Sequence, residues 1–188
     1  MSGRRQVHIF DQAQRILAGA AANAAISQCY AYWRDKRALM THGMLPGRQH
    51  LDPAGMRSFL PYVVLFDVER NGAHYRFRHR LTGTHFADIF GRDVTGMYIE
   101  HAGSLEDFDV VYRRFSCVVD DKALVYGVSP SPLRERNFPR YEHLTLPLAT
   151  DGATVDMLFG VRCWLSGSHP RLRDVPPDVI VPLGADGA

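Results

Sequence analysis

This 188-residue chain has few lysines, no long apolar run and no closely spaced pair of cysteines. Lys36 and Lys122 are the only lysines among 22 basic residues, and 20 acidic residues bring the formal net charge to +2. So small a charge gives no strong attraction to nucleic acid or to a membrane surface. A membrane-spanning helix needs about 18 apolar residues in a row, and no stretch approaches that length. We therefore expect neither a nucleic-acid partner nor a membrane span.

The cysteines indicate the compartment. Cys29, Cys117 and Cys163 lie far apart and include no C-x-x-C pair. An odd, sparse set is not a disulfide framework and fits a reducing environment. Residues 16–24 imitate a weak secretory signal, but polar residues lead directly into them, which favours an alanine-rich helix. The expected location is the cytoplasm.

Familiar catalytic motifs are also missing. The sequence has no G-x-G-x-x-G, no phosphate-binding P-loop and no H-E-x-x-H. Residues 127–131 resemble a nucleophile elbow around Ser129, but the final glycine is absent and the flanking prolines oppose a strand-to-helix turn. The nine histidines show no metal-ligand spacing, either with one another or with the cysteines. We predict no catalytic residue and no metal site.

Hydrophobic periodicity predicts helices first and strands later. Residues 9–26 repeat small and apolar side chains at helical spacing, and Ser27 is suited to cap a second helical stretch. Strand patterns over 62–69 and 74–82 flank Asn71-Gly72, which is typical of a type I′ hairpin turn. Ser104 opens an amphipathic helix through a capping box. Three further strands are predicted after it, a short one over 123–129 and two with alternating apolar residues, and this order predicts an α+β domain with antiparallel strands.

We expect the chain to have three parts. Residues 1–27 form a predicted helical extension, residues 28–165 a domain, and residues 166–188 a flexible tail. The tail is predicted from its shift to glycine, proline and polar residues.

Short motifs stand in a fixed order along the predicted domain. They are Tyr32-Trp33-Arg34, Leu45-Pro46-Gly47-Arg48, Asp52-Pro53, Phe59-Leu60-Pro61, Arg80-Leu81-Thr82-Gly83-Thr84, Gly91-Arg92-Asp93-Val94-Thr95-Gly96 and Leu144-Thr145-Leu146-Pro147-Leu148. The set resembles the stand-alone bacterial PAS-like domain family. The resemblance implies a five-stranded antiparallel sheet with helices over one face and a small cavity between them. It also implies a non-catalytic sensor or adaptor that forms dimers and acts through a signalling protein partner.

The same resemblance directs attention to residues around the cavity. We expect a small-molecule ligand there to contact Arg80, Phe90, Tyr112, Phe115, Tyr126 and Met157. Most apolar side chains of such a stripe serve as core, and a structural role for Arg80 is as reasonable as ligand contact. Arg76 and Arg78 share a strand face with Arg80, either as a solvated face or as an anion site. The cofactor is unknown. His85 is the nearest candidate haem ligand by position, although a surface or capping histidine is the simpler interpretation.

Two alternatives stay open. A small cavity enzyme, of isomerase or hydratase type, would use His79 or His143 as a general base, and it would need a carboxylate paired to that histidine. Glu142 adjoins His143 but should point to the opposite face of its strand. The helix at 9–26 should mediate a homodimer, unless it folds back on its own domain.

Overall fold

The computed structural model describes residue 17 and residues 23–41, 43–102, 108–131, 140–165 and 178–183. The helices are α1 (Ala24–Ala38), α2 (Thr84–Phe90), α3 (Ile99–Ala102) and α4 (Phe108–Asp120). The strands are β1 (Val63–Asn71), β2 (His74–Thr82), β3 (Ala123–Pro130), β4 (Arg140–Leu148), β5 (Met157–Leu165) and β6 (Val179–Pro182). No helix in these ranges combines the length and apolarity needed to span a membrane.

The strands form one antiparallel sheet in the order β2-β1-β5-β4-β3-β6. The predicted α+β class is therefore confirmed, but the sheet has six strands where five were expected. The additional strand, β6, lies within 166–188, the segment predicted to be a flexible tail. Its three β-branched residues pair with β3 despite the surrounding glycines and prolines. The strand was not predicted because it is short and the rest of residues 166–188 is rich in glycine, proline and polar residues.

Cross-strand pairs define the two faces of the sheet. Phe66 lies opposite His79, and His143 lies opposite Arg162, on the face that α2 and α4 cover; this is the inner face. Glu142 lies opposite Cys163 on the outer face, which α1 covers. Helices therefore pack on both faces of the sheet, α1 on the outer face and α2 and α4 on the inner face.

Helix α1 is anchored to the outer face at two points. Its N-cap is Asn23, whose side chain accepts a hydrogen bond from the backbone of Ala25; the predicted cap, Ser27, is an exposed residue inside the helix. The backbone N–H of Asn23 donates to the buried Glu142 carboxylate at 3.0 Å. Trp33 donates from Nε1 to the carbonyl of Pro147 at 3.0 Å. This part of the helix folds back on its own domain.

The predicted amphipathic helix is present as α4, although its proposed cap at Ser104 lies outside the described residues. Apart from Leu17, residues 9–22 lie outside them too. The small-residue face that was predicted to mediate a dimer is therefore not described.

The turn between β1 and β2 is a tight one, centred on Gly72 and Ala73 rather than on Asn71 and Gly72. Asn71 pairs directly with His74 across the hairpin. Gly72 has a φ of 60°, and Ala73 has none of the positive φ that a type I′ turn requires at both central residues. A single glycine at the first central position is the pattern of a type II′ turn.

Replacing Gly72 with alanine should therefore lower the free energy of unfolding by about 1 kcal/mol. A Cβ at Gly72 meets no atom within 4 Å, so the cost comes from backbone strain alone. Urea unfolding measures it, with Ala73→Ser as the matched control, because Ala73 is exposed and has no left-handed backbone. Equal stability of the two variants would contradict this account of the turn.

Candidate functional site

The inner face is built around a continuous group of aromatic rings. Phe66, on β1, lies 4.6 Å from the His79 ring and 4.7 Å from the Phe115 ring, measured between ring centroids. On α2, Phe86 stacks on Phe90 at 4.4 Å and meets the Trp164 indole edge-on at 5.2 Å. These rings lie between the sheet and the helices that cover it.

Two buried arginines lie beside the rings. Arg162 projects from β5 and Arg114 from α4, and each is only 6% exposed. The Arg162 guanidinium lies 5.9 Å from the Phe66 ring centroid and 5.8 Å from that of Phe115. Buried charges are normally paired, because desolvation of an isolated charge costs several kcal/mol.

Arg162 is held mainly by neutral acceptors. It donates to the carbonyl oxygens of Leu144 and Val161 and to Oγ1 of Thr145, at 2.8–3.0 Å. Within the described ranges it forms no ion pair. Burial, with a further contribution from the charge of Arg114, lowers the pKa of Arg162 to about 10, against 12.5 ordinarily. The guanidinium remains protonated at neutral pH, in surroundings that disfavour its charge.

Arg114 has a different set of partners. It donates to the hydroxyl oxygens of Ser129 and Tyr141, the latter at 3.3 Å, and forms an ion pair with Asp178. Asp178 immediately precedes β6 and is partly exposed, at 28% of its side chain. Among the described residues, Asp178 is thus the one acid that forms an ion pair with either of these two buried arginines.

His143 completes this part of the site. Its Nε2 lies 3.3 Å from Oγ of Ser129 and 3.9 Å from a carboxylate oxygen of Asp178. In a serine-hydrolase triad the serine and the aspartate contact opposite nitrogens of the histidine. Here both approach the same nitrogen, and Arg114 contacts the serine and the aspartate. Ser129, His143 and Asp178 therefore do not have the geometry of a catalytic triad.

His79 is the second buried histidine of the inner face. Its ring packs between Phe66 and Phe86, and its Nδ1 has no hydrogen-bond partner among the described residues. Burial, reinforced by the nearby charge of Arg162, lowers the pKa of His79 to about 3. His79 is therefore a neutral imidazole at physiological pH. Its side chain offers one unused polar atom beside a buried cation.

We call Arg114, Arg162, His79, His143 and Ser129 the cationic cluster. It combines two permanent positive charges, hydroxyl and imidazole groups, and aromatic walls. Guanidinium groups recognise carboxylates and phosphates through paired hydrogen bonds. Conversely, no group of three or more His, Cys, Asp or Glu side chains suited to a metal ion occurs in the described part of the chain. The chemistry of the cluster fits an anion.

The structure brings together only half of the ligand-contact residues predicted from the sequence. Phe90, Tyr112 and Phe115 lie on the inner face, where Tyr112 and Phe115 both contact the Phe77 ring. Tyr126 lies on the outer face and donates to Glu142 at 2.7 Å. Burial, reinforced by that carboxylate, raises the pKa of Tyr126 well above its ordinary value. Met157 lies on the outer face as well, opposite Asp67 of β1. The predicted set does not line one cavity.

Arg80 lies in a surface network of ion pairs. It bonds to Asp67 at 3.2 Å, and its side chain is 53% exposed. Arg78 pairs with Asp67 and Glu69, and Arg76 pairs with Glu100 at 2.8 Å. Carboxylates of β1 and α3 thus neutralise the arginine row on β2. Of the two interpretations of Arg76 and Arg78, the structure supports the solvated face.

Sequence reasoning missed both arginines of the cationic cluster. A signal for Arg114 existed, because it stands at helical spacing between Val111 and Val118 in an apolar stripe. Arg162 alternates with Val161 and Cys163, which is typical of a half-exposed strand. It is buried because helices cover both faces of this sheet.

His85, the residue weighed as a haem ligand, lies on α2 between the rings of Tyr62 and Trp164, at 4.6 and 6.1 Å. Within the part of the chain that the structure describes, its Nε2 has no hydrogen-bond partner, and partial burial lowers its pKa. It is half-buried, and the N-cap of α2 is Gly83. Nothing further in the described residues connects it with a cofactor.

Comparison with known proteins agrees with this architecture. A protein-family model described as PAS domain matches residues 21–163, which is well over half of the chain. No curated protein matches the sequence significantly. The matched region contains α1, the strands β1 to β4, all but the last two residues of β5 and all of the cationic cluster, and it ends before β6. The resemblance drawn from the ordered motifs is confirmed, and the chain belongs to the PAS domain family.

Proposed function

We propose that this protein is a non-catalytic sensor or adaptor of bacterial signalling, which binds a small molecule on its inner face and acts through a protein partner. PAS domains serve in general as sensory and signalling modules. One observation carries the proposal for this chain: the guanidinium groups of Arg114 and Arg162 are buried on the inner face, where His79, close enough to feel the charge of Arg162, has an Nδ1 with no hydrogen-bond partner among the described residues. A ligand that contacts these groups would replace solvation lost on folding.

A purely structural role explains the cluster less well. Replacing buried ion pairs with packed apolar residues is often neutral or stabilising, so buried charge is weak evidence for a contribution to stability. Arg162 also has no carboxylate partner among the ion pairs of the described residues. Perturbed titratable groups that converge beside apolar walls are features of binding sites. A ligand site accounts for both the burial and the excess positive charge.

The enzyme alternative receives less support from the geometry. A general base works best with a pKa near the operating pH, and His79 has a pKa of about 3. His143 and Glu142 point to opposite faces of β4, as strand alternation predicts. The Asp178 carboxylate, 3.9 Å from Nε2 of His143, is engaged by Arg114.

The proposal of a homodimer concerns the surface left free by helix α1. The face of α1 that carries Ile26, Cys29 and Trp33 is buried against its own sheet. A homodimer would therefore have to use another surface, and we retain the segment before Asn23 as the proposed dimer interface.

All three cysteines are free thiols, which favours the proposed cytoplasmic location of the protein.

The direct test is to compare native and denaturing mass spectra and absorbance of the purified protein with those of its Arg162→Met variant. We expect a small molecule to co-purify with the wild type and to be lost from the variant, because methionine keeps the apolar stem but removes the charge. Arg57→Met is the matched control, since Arg57 is an exposed arginine outside the sheet. The proposal fails if nothing co-purifies and if protein refolded from denaturant unfolds at the same temperature as untreated protein.

A further inference from the structure

The carboxylate of Asp178 reaches the inner face from an edge strand. Asp178 immediately precedes β6, which comprises four residues and pairs with β3 alone, from Ala123 opposite Pro182 to Tyr126 opposite Val179. Backbone pairing of four residues is a weak attachment for a terminal strand. The Asp178–Arg114 ion pair therefore anchors the beginning of β6 to α4.

Asp178 is also an imperfect partner for the cationic cluster. It supplies one negative charge where Arg114 and Arg162 supply two positive ones, and it contacts only Arg114. Burial raises the pKa of the Asp178 carboxyl, while Arg114 opposes that rise. A carboxylate that is half desolvated and reaches one of two cations is open to replacement by a better-placed anion.

The surroundings specify the rest of such an anion. Aromatic rings border the guanidinium groups, with Phe115 near Arg162 and Tyr141 near Arg114. Tyr141 stacks on Trp164 at 5.5 Å between ring centroids. Ring walls favour a flat, apolar body attached to the charged group.

We propose that the ligand is an aromatic carboxylate, and that it takes the place of Asp178 on Arg114 and thereby releases β6 from the sheet. This inference rests on the proposed function, because it names the ligand class and the response of the same cluster. Asp178 acts as the internal competitor: it occupies Arg114 when the ligand is absent and leaves when the ligand binds.

Release of β6 has two structural consequences. The edge of β3 loses its partner, and an unpaired edge is a template for a strand of another protein. The contact from Arg37 on α1 to the carbonyl of Leu183, at 3.3 Å, is lost as well. Binding on the inner face thus changes both the exposed edge of β3 and a contact of α1 on the outer face.

Hydrogen exchange of the peptide covering residues 178–183 tests the release, with benzoate as the probe and uncharged benzamide as its control. Asp178→Asn should raise exchange at least about tenfold, since the anchor is lost. Benzoate should produce the same rise in the wild type and none beyond it in the variant, while benzamide leaves exchange unchanged. Asp109→Asn is the matched control, because Asp109 is an exposed acid on α4. Benzoate should also bind the Asp178→Asn variant about tenfold more tightly than the wild type.

The inference is overturned if Asp178→Asn leaves exchange at the level of Asp109→Asn, because β6 then does not depend on the ion pair. It is overturned equally if Asp178→Asn frees β6 but benzoate at saturating millimolar concentration does not. In both cases a co-purified ligand that depends on Arg162 would leave the proposed function intact. Exchange that follows benzoate in a protein with no co-purifying ligand would support the inference and would mean that the purified protein carries an empty ligand site.

Discussion

Between pH 6.5 and pH 3 the protein should lose stability steadily because of one buried side chain, His79. Its imidazole is neutral in the folded protein, where the pKa is about 3, whereas in the unfolded chain it is protonated below its ordinary pKa of 6.5. The unfolded state therefore binds more protons in this window, and falling pH favours unfolding. Each pH unit costs about 1.4 kcal/mol, which amounts to about 3 kcal/mol at pH 4.

The measurement is urea unfolding at several pH values for the wild type and for His79→Phe. Phenylalanine keeps an aromatic ring between Phe66 and Phe86 but binds no proton, so the variant should lose much less stability on acidification. Other groups titrate in the same range, and for this reason the informative quantity is the difference between the two pH profiles. His74→Phe, at an exposed position of the same strand, should retain the wild-type profile. Parallel profiles for the wild type and His79→Phe would refute the assignment.

Much of the fold was predictable because its signals are local. Alternation of apolar side chains predicted β1, β2, β4 and β5, and helical spacing predicted α4. The loop after α2 also follows its residues: Gly91 and Gly96 adopt positive φ, and Asp93 accepts a hydrogen bond from the backbone of Thr95. Such features depend on neighbouring residues, so a single sequence reveals them.

The cationic cluster was not predictable in this way because its members are distant in sequence. Arg114, His143 and Asp178 belong to α4, β4 and the residue before β6, and only the sheet order brings them together. Arg162 is buried because α4 covers the inner face, while its neighbours Val161 and Cys163 are buried on the outer face. Sequence periodicity shows which side of a strand a residue occupies, but it does not show that both sides are covered.

Strand β4 connects the two covered faces. His143 contributes to the cationic cluster on the inner face, and the adjacent Glu142 receives the hydrogen bond from Asn23 that holds the beginning of α1 on the outer face. The carbonyl of Pro147, five residues from Glu142 on the same strand, accepts the hydrogen bond of Trp33. The position of α1 is therefore fixed by groups of a strand that also borders the site.

Trp33→Ala should have the largest effect on stability, lowering the free energy of unfolding by about 3–5 kcal/mol. The Trp33 side chain is fully buried between α1 and the outer face, so its removal leaves a cavity and abolishes the hydrogen bond to Pro147. Trp33→Phe retains most of the ring volume and loses the N–H donor, and it should cost a smaller amount, about 1–3 kcal/mol, for the carbonyl left without that donor.

Urea unfolding of the two variants measures the loss of stability. Limited proteolysis of the native state shows whether α1 remains packed on the outer face. If α1 is held by this side chain, Trp33→Ala should expose cleavage sites within 24–38 under conditions that leave the wild type intact, and Trp33→Phe should not. Leu39→Ala is the matched control, because Leu39 follows α1 and is 77% exposed. A loss below about 1 kcal/mol for Trp33→Ala, or cleavage equal to that of Leu39→Ala, would mean that α1 is held on the outer face chiefly by Glu142 and the smaller apolar contacts.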